Sequence, residues 1–269
     1  MLHNKNPREQ SGRDTFSRYK AQARSAAMAS LSILEGKEID RVYCDLHDDF
    51  VVRVNSNDKV SYIFYQVKTK NKQNHNWSIG ELFGLKKNLK DQSKQDPNKI
   101  RDSFIGKLLL HTIVFDDSCS FVYFQTNIHN SDEVEELHRD IADGIFENKF
   151  TKVLIDKFNT IFSEELDSDK SINEIKERLS KLKFHTDVQY LKIGDDNFEP
   201  LARNAIYEFS EVDLEYSESR EILMKLLNLV EQKSTGVISK IPKRGWPAIL
   251  AMSSTSRLVE VPMSVQHPV

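Results

Sequence analysis

The run Val60-Ser61-Tyr62-Ile63-Phe64-Tyr65-Gln66-Val67-Lys68-Thr69-Lys70 is rich in aromatic and β-branched residues and predicts a packed strand. Strand side chains alternate between faces, so Tyr62, Phe64, Gln66 and Lys68 share one face, and Ile63, Tyr65, Val67 and Thr69 the other. The first face turns from aromatic rings to an amide and an ammonium. Burying such groups costs free energy unless they have partners or chemistry to perform. One solution is a metal-dependent nuclease site, where a side-chain oxygen helps hold a divalent cation and a Lys two residues on steadies phosphate charge. The bland alternative is an edge hairpin with polar ends.

Upstream, Ile39 to Val54 reads as a second strand, and Asn55-Ser56-Asn57-Asp58 as the turn, because Asn, Asp and Ser tolerate turn conformations. With Val54 opposite Lys59, odd residues of the first strand share a face with even residues of the second. Asp49 then lies opposite Phe64 and one diagonal step from Gln66, Asp45 lies opposite Lys68, and Asp48 points away. A one-residue slip would reverse the faces.

Helical periodicity surrounds this hairpin. Phe16, Tyr19, Ala23, Ala26, Ala27, Leu31 and Leu34 mark an amphipathic first helix, with Ser11 or Asp14 as cap and Gly36 as stop. Its Arg18 and Gln22 read most simply as surface-pairing residues. Ser78 and Glu81 form a capping-box pattern for a helix to about Leu89. A further helix covers roughly Lys99 to Phe115, and Cys119 to Asn127 reads as another buried strand. Trp77 is either a packing anchor or a base-stacking ring. Beyond Ser131 the pattern is mostly helical: Asp132–Phe162, a helix capped by Ser171, Asn197–Val212 and Ser217–Gln232. Phe184 to Lys192 reads as a strand or extended loop, and the tail from Lys233 as irregular. Mixed strands with flanking helices define an α/β class.

Composition changes this picture little. Hydrophobic residues at 39% and charged residues at 29% place the chain among ordinary globular proteins. No apolar stretch reaches the length of a membrane span, and the N-terminus lacks a signal-peptide core, so a cytoplasmic location is expected. Two cysteines, Cys44 and Cys119, offer no zinc spacing and read as buried thiols. Net charge is −3, so no global basic signature for nucleic acid exists. Locally the balance reverses: residues 51–110 hold twelve Lys or Arg against five acids, a field of the sign phosphate requires, or a lysine-rich solvated face.

Taken together, Arg8-Glu9-Gln10-Ser11-Gly12-Arg13, Phe16, Arg18-Tyr19, Gln22, Cys44 to Val52, Phe64 to Lys70 and Trp77 resemble the endonuclease domain of bacterial anti-phage effectors in the restriction-endonuclease-like PD-(D/E)xK superfamily. The resemblance covers about residues 8–130. It implies a restriction-endonuclease-like mixed sheet flanked by helices, with residues 1–130 as nuclease core and 131–269 as a mostly helical extension for packing or oligomerisation. It implies cleavage of double-stranded DNA with Mg²⁺ or Mn²⁺. Asp49, Gln66 and Lys68 match the catalytic positions, Asp49, Gln66 and Asp48 the metal-binding ones, and Lys70, Lys72 and Trp77 adjoin them as DNA contacts. Gln66 departs from the usual Asp or Glu, and a neutral amide oxygen binds a hard cation less strongly than a carboxylate.

The family has one branch paired with a HerA-type ATPase and one fused to a cyclic-oligonucleotide sensor. A sensor needs a domain of about 150–200 residues, whereas residues 131–269 contain helical patterns and few glycines. The expectation is therefore a homo-oligomer docking on a HerA-type ATPase. The alternatives are a sensor-activated nuclease and a catalytically weak DNA-binding or assembly subunit.

Overall fold

The computed structural model describes residues 10–33, 38–56, 59–72, 74–192, 197–210, 214–235 and 258–259. Helix α1 (Gln10–Leu31) leads into three antiparallel strands, β1 (Ile39–Leu46), β2 (Asp48–Ser56) and β3 (Lys59–Lys68). Helices α2 (Ile79–Phe83), α3 (Pro97–Arg101) and α4 (Phe104–Val114) then carry the chain to β4 (Cys119–Thr126), which pairs parallel to β3. A parallel neighbour needs such a crossover, because its start lies at the far end of the strand before it. Helices α5 (Asp132–Ala142), α6 (Lys149–Ile161) and α7 (Ile172–Ser180) make the second crossover, to the parallel strand β5 (Leu182–His185). Helices α8 (Phe198–Ser210) and α9 (Tyr216–Thr235) follow, and the two-residue strand β6 (Leu258–Val259) edges β1. The sheet order is β5-β4-β3-β2-β1-β6. This is the expected mixed sheet flanked by helices, with helices closing the C-terminal part.

The alternation of β3 explains why both faces are covered. Tyr62 and Phe64 join Val51, Val122 and Phe124 in a core with α2 and α4–α7. Ile63, Tyr65 and Val67 join Phe50, Val52 and Cys44 against α1, α8 and α9. On the second face Phe50, Tyr65 and Tyr123 stack across three neighbouring strands with ring centroids 4.5 and 4.8 Å apart. The alanine face of α1 lets that helix approach the sheet closely: Ala23, Ala26 and Ala27 are buried there. Residues on both sides of position 130 share the first core, Phe64 and Phe124 with Leu154, Phe158 and Leu179.

Several local expectations change. Ile39 to Val54 is two strands, folded back at His47, with Leu46 opposite Asp48. Asp45 and His47 both take left-handed backbone conformations, φ 51° and 66°, which Asp and His adopt more readily than most residues. Asp45 therefore belongs to β1 and does not face Lys68. The β2–β3 hairpin closes at Ser56 opposite Lys59, so Val54 faces Ser61 and Phe64 faces Val51. The register moves by two residues, and odd residues of β2 still oppose even residues of β3. The helix after Ser78 stops at Phe83, because Gly84 turns left-handed at φ 67° and returns its N–H to Gly80 O. The next expected helix breaks at Asp102–Ser103, where the Ser103 hydroxyl caps α4 through Gly106 N at 3.0 Å. Helix α1 runs through both expected caps, and Gly36 and most of the tail lie outside the described residues.

That break leaves a testable mark. Alanine in a helix interior ordinarily stabilises by about 0.5–1 kcal/mol over glycine. A Cβ at Gly106 would instead collide with the backbone carbonyls of Ile100 and Arg101. Gly106→Ala should therefore destabilise, by about 1–3 kcal/mol as overpacking does, seen as a lower urea midpoint.

Candidate active site

Four elements meet where β2 begins and β3 ends. On β2, the Asp49 carboxylate joins α1 and β3. Its Oδ2 accepts from Val67 N at 2.7 Å and from Lys68 Nζ at 3.0 Å. Its Oδ1 accepts from Gln22 Nε2 of α1 at 2.6 Å. Burial raises the Asp49 carboxyl above its ordinary range; Lys68 acts against that rise, and Asp48 adds to it. The β2–β3 register pairs Phe50 with Tyr65, so its next step puts Asp49 beside Gln66. Gln66 is 8% exposed, and its Oε1 is buried with no hydrogen-bond partner among the described residues. A buried acceptor without a donor is costly, so this oxygen is available to a ligand.

Asp48 engages different groups. Its Oδ1 accepts from Asp49 N at 2.9 Å, and its Oδ2 lies 3.1 Å from His111 Nε2 of α4. The His111 ring stacks on Phe64 at 4.4 Å. Asp48 thus braces the turn into β2 against α4. Beside it, the His47 imidazole is pushed down to about 4, by burial first and His111 second.

Beyond Lys68, the chain is clamped along the end of β4. Asn127 accepts from Lys70 N at 3.0 Å and donates to Lys70 O at 2.9 Å. Lys70 Nζ bonds Glu81 Oε1 at 2.6 Å and lies 3.9 Å from the Trp77 ring centroid. Trp77 is 5% exposed, donates from Nε1 to Thr126 Oγ1 at 2.8 Å, and meets Phe104 and Phe124 edge-on. At this burial Trp77 is a packing anchor, one of the two roles its sequence position allows. Lys72 is exposed.

Residues 10–234 match the family described as Cap4, dsDNA endonuclease domain. The chain belongs to the Cap4 double-stranded DNA endonuclease family. This Cap4 match agrees with the PD-(D/E)xK resemblance carried by Asp49, Gln66 and Lys68. Among solved structures, the Acinetobacter baumannii Cap4 SAVED/CARF-domain containing receptor with the cyclic trinucleotide 3'3'3'-cAAA aligns over 81% of this chain and 43% of its own, at 12% identity and a TM-score of 0.48. The Moraxella osloensis Cap4 SAVED/CARF-domain containing receptor aligns over 80% and 43%, at 12% identity and a TM-score of 0.45. The chain therefore spans less than half the length of these Cap4 receptors. No curated protein matches the sequence.

A divalent cation fits this candidate site by donor chemistry. Asp49 and Gln66 offer oxygens, which suit Mg²⁺ or Mn²⁺, and the Gln66 Oε1 lacks a donor. Among the described residues no three His, Cys, Asp or Glu side chains form a ready cage. Mg²⁺ commonly binds through one or two protein oxygens, with water and substrate phosphate completing its shell. Asp49 Oδ1 accepts one bond and Oδ2 two, so a cation would take the remaining lone pair of Oδ1 or exchange with the Lys68 donor on Oδ2.

Two partners in this candidate site have no role legible in the sequence. Gln22 stood in the family-like run but read as a surface residue; its signal was a polar side chain beside the alanine face of α1. His111 follows Leu108-Leu109-Leu110, and a lone His ending an apolar run carries no indication of its partner.

The depressed His47 gives a pH prediction. In the unfolded chain His47 titrates near 6.5, and in the fold near 4. Between these values the unfolded chain binds a proton that the folded one refuses, so stability is full above 6.5 and falls as pH drops toward 4. Asn tolerates the left-handed turn, so His47→Asn should keep the fold and reduce this loss. Urea titrations at about pH 7.5 and pH 5 check it. His138 and His185, also lowered by burial, leave part of the loss in place.

Proposed function

We propose that this chain hydrolyses phosphodiester bonds of double-stranded DNA at the Asp49–Gln66–Lys68 end of the hairpin, in anti-phage defence. The observation that carries the proposal is a half-buried carboxylate in contact with a Lys ammonium, beside a buried amide oxygen without a donor. Asp49 and Gln66 would hold Mg²⁺ or Mn²⁺, and Asp48 would support Asp49 from behind. The chemistry such a cation supplies is polarisation of the scissile phosphate and a more acidic attacking water. Lys68, freed from Asp49 as the site fills, would donate to a phosphate oxygen or to that water, where its charge stabilises the negative charge that develops. Gln22 would hold the Asp49 carboxylate in orientation. Lys72 would extend positive charge along the backbone of the duplex, with Lys70 held beside it by Glu81.

Residues 1–130 would carry the chemistry and 131–269 the packing and assembly surfaces. Control would come from assembly: a homo-oligomer docked on a HerA-type ATPase. A second reading comes from solved Cap4 SAVED/CARF-domain containing receptors, with cyclic trinucleotides in two cases; a sensor of that kind would then switch the nuclease.

Lys68→Ala should lower plasmid cutting by about 10²–10³-fold, as loss of one positioned charge does, while the chain stays folded with a urea midpoint lowered only by the loss of the Asp49–Lys68 pair. Asp49→Asn should be as damaging. Asp48→Asn keeps an acceptor for Asp49 N and should cost less, within about tenfold, the worth of one ordinary hydrogen bond. Cutting at parental rate by both Lys68→Ala and Asp49→Asn would defeat the assignment. Light scattering with and without a HerA-type ATPase should show a larger complex. A monomer that ignores the ATPase but cuts once given a cyclic trinucleotide would favour the sensor.

A further inference from the structure

Immediately past the catalytic hairpin, α1 and the clamped segment after β3 enclose an open cleft of about 380 Å³. Arg18 and Ser17 contribute one wall, Lys70 and Lys72 the other, with His75 and Glu81 at the side. We propose that this cleft binds the phosphodiester backbone of duplex DNA next to the scissile phosphate, with Arg18 and Lys72 as its principal contacts.

The proposal rests on the nuclease reading above and adds to it a phosphate site with α1 as one wall. Three observations carry it. First, the charges that line the cleft differ in their engagement. Lys70 is bonded to Glu81 at 2.6 Å, whereas Arg18 and Lys72 make no ion pair among the described residues. Exposed cations facing each other across a cleft repel, and an anion between them removes that repulsion. Second, the wall is fixed. Asn127 holds both polar groups of the Lys70 backbone, and α1 is seated on the sheet by its alanine face. The backbone that carries Arg18 is thus held in place, and its planar fork can meet a phosphate with two donors. Third, the location suits a strand leaving the catalytic end. Lys70 follows Lys68 by two residues, at most about 7 Å of chain, so the cleft lies within reach of the next phosphates on that strand. Arg18 precedes Gln22 by one helical turn and shares its face of α1. One face of the helix thus presents Gln22 to Asp49 and Arg18 to the cleft.

Glu81 opposes the site. Although its partial burial would raise its pKa, the Lys70 ammonium and the Ser78 N–H and hydroxyl hold it at about 2, so it stays ionised under working conditions. It cancels Lys70 and leaves the duplex to Arg18 and Lys72.

The test is binding of a labelled DNA duplex by the full chain in EDTA, so that no strand is cut, across about 50–200 mM salt. Removing one protein–phosphate interaction should reduce the slope of log affinity against log salt by about one. Arg18→Ala and Lys72→Ala should each show this reduction with severalfold weaker binding, and Arg18→Lys should restore the slope. Glu81→Gln keeps the helix cap, since Gln serves the capping box, and should tighten binding. Unchanged slopes in Arg18→Ala and Lys72→Ala overturn the proposal. So does an equal effect from Lys152→Ala on α6, outside the cleft, which would reveal a diffuse field. Weaker binding of a free mononucleotide with duplex binding unchanged would likewise overturn it. Failure of the nuclease reading shows separately, as undiminished plasmid cutting by Lys68→Ala with Mg²⁺ or Mn²⁺.

Discussion

A carboxylate drawn largely out of water must be matched by donors, and in this protein the Asp49 carboxylate sets that requirement. Taking it out of water raises its proton affinity, and three N–H donors from two elements act against the cost: Gln22, the Val67 backbone and Lys68. Each donor depends on a larger structural fact. The Val67 N–H is free for Asp49 because β2 and β3 part at that end. Lys68 arrives there because β3 alternates as it does. Gln22 arrives because α1 lies close against the sheet on its alanine face. If α1 were displaced, the carboxylate would lose the donor on Oδ1.

The same packing links the site to the far helices. Helix α1 is shared by the catalytic end and by α8 and α9, which cover the second core with it. Tyr19 reaches the backbone of Glu231 on α9, and the Arg24 guanidinium lies 4.9 Å from the Phe198 ring centroid on α8. The helix that orients Asp49 is therefore held in place by the helical C-terminal part. A proposed partner engaging α8 or α9 would act on the element that carries Gln22, without touching the chemistry directly.

The polar groups around the site divide by what they are left free to do. Asp49, Gln66 and Lys68 leave an acceptor and a charge available for a ligand. Asp48, His111, Asn127, Trp77 and Thr126 are consumed in mutual contacts that fix the turn and the segment after β3. A short hairpin end is mobile by default, and these contacts hold the first group in place.

The sequence by itself determined the strand at residues 60–68, the α/β class and the facing parity of β2 and β3. These follow from local periodicity, and a period of two survives a register shift of two residues. It did not determine where the chain folds back, because the turn at His47 relies on left-handed conformations of Asp45 and His47 within a run that reads as continuous strand. Nor did it determine helix ends at Gly84 and Asp102, where the approach of other backbone decided. Gln22, His111 and Trp77 show the deeper limit. Their residue types allow surface, core or site, and only the tertiary structure decided among these, because each partner lies 27 to 63 residues away in the chain.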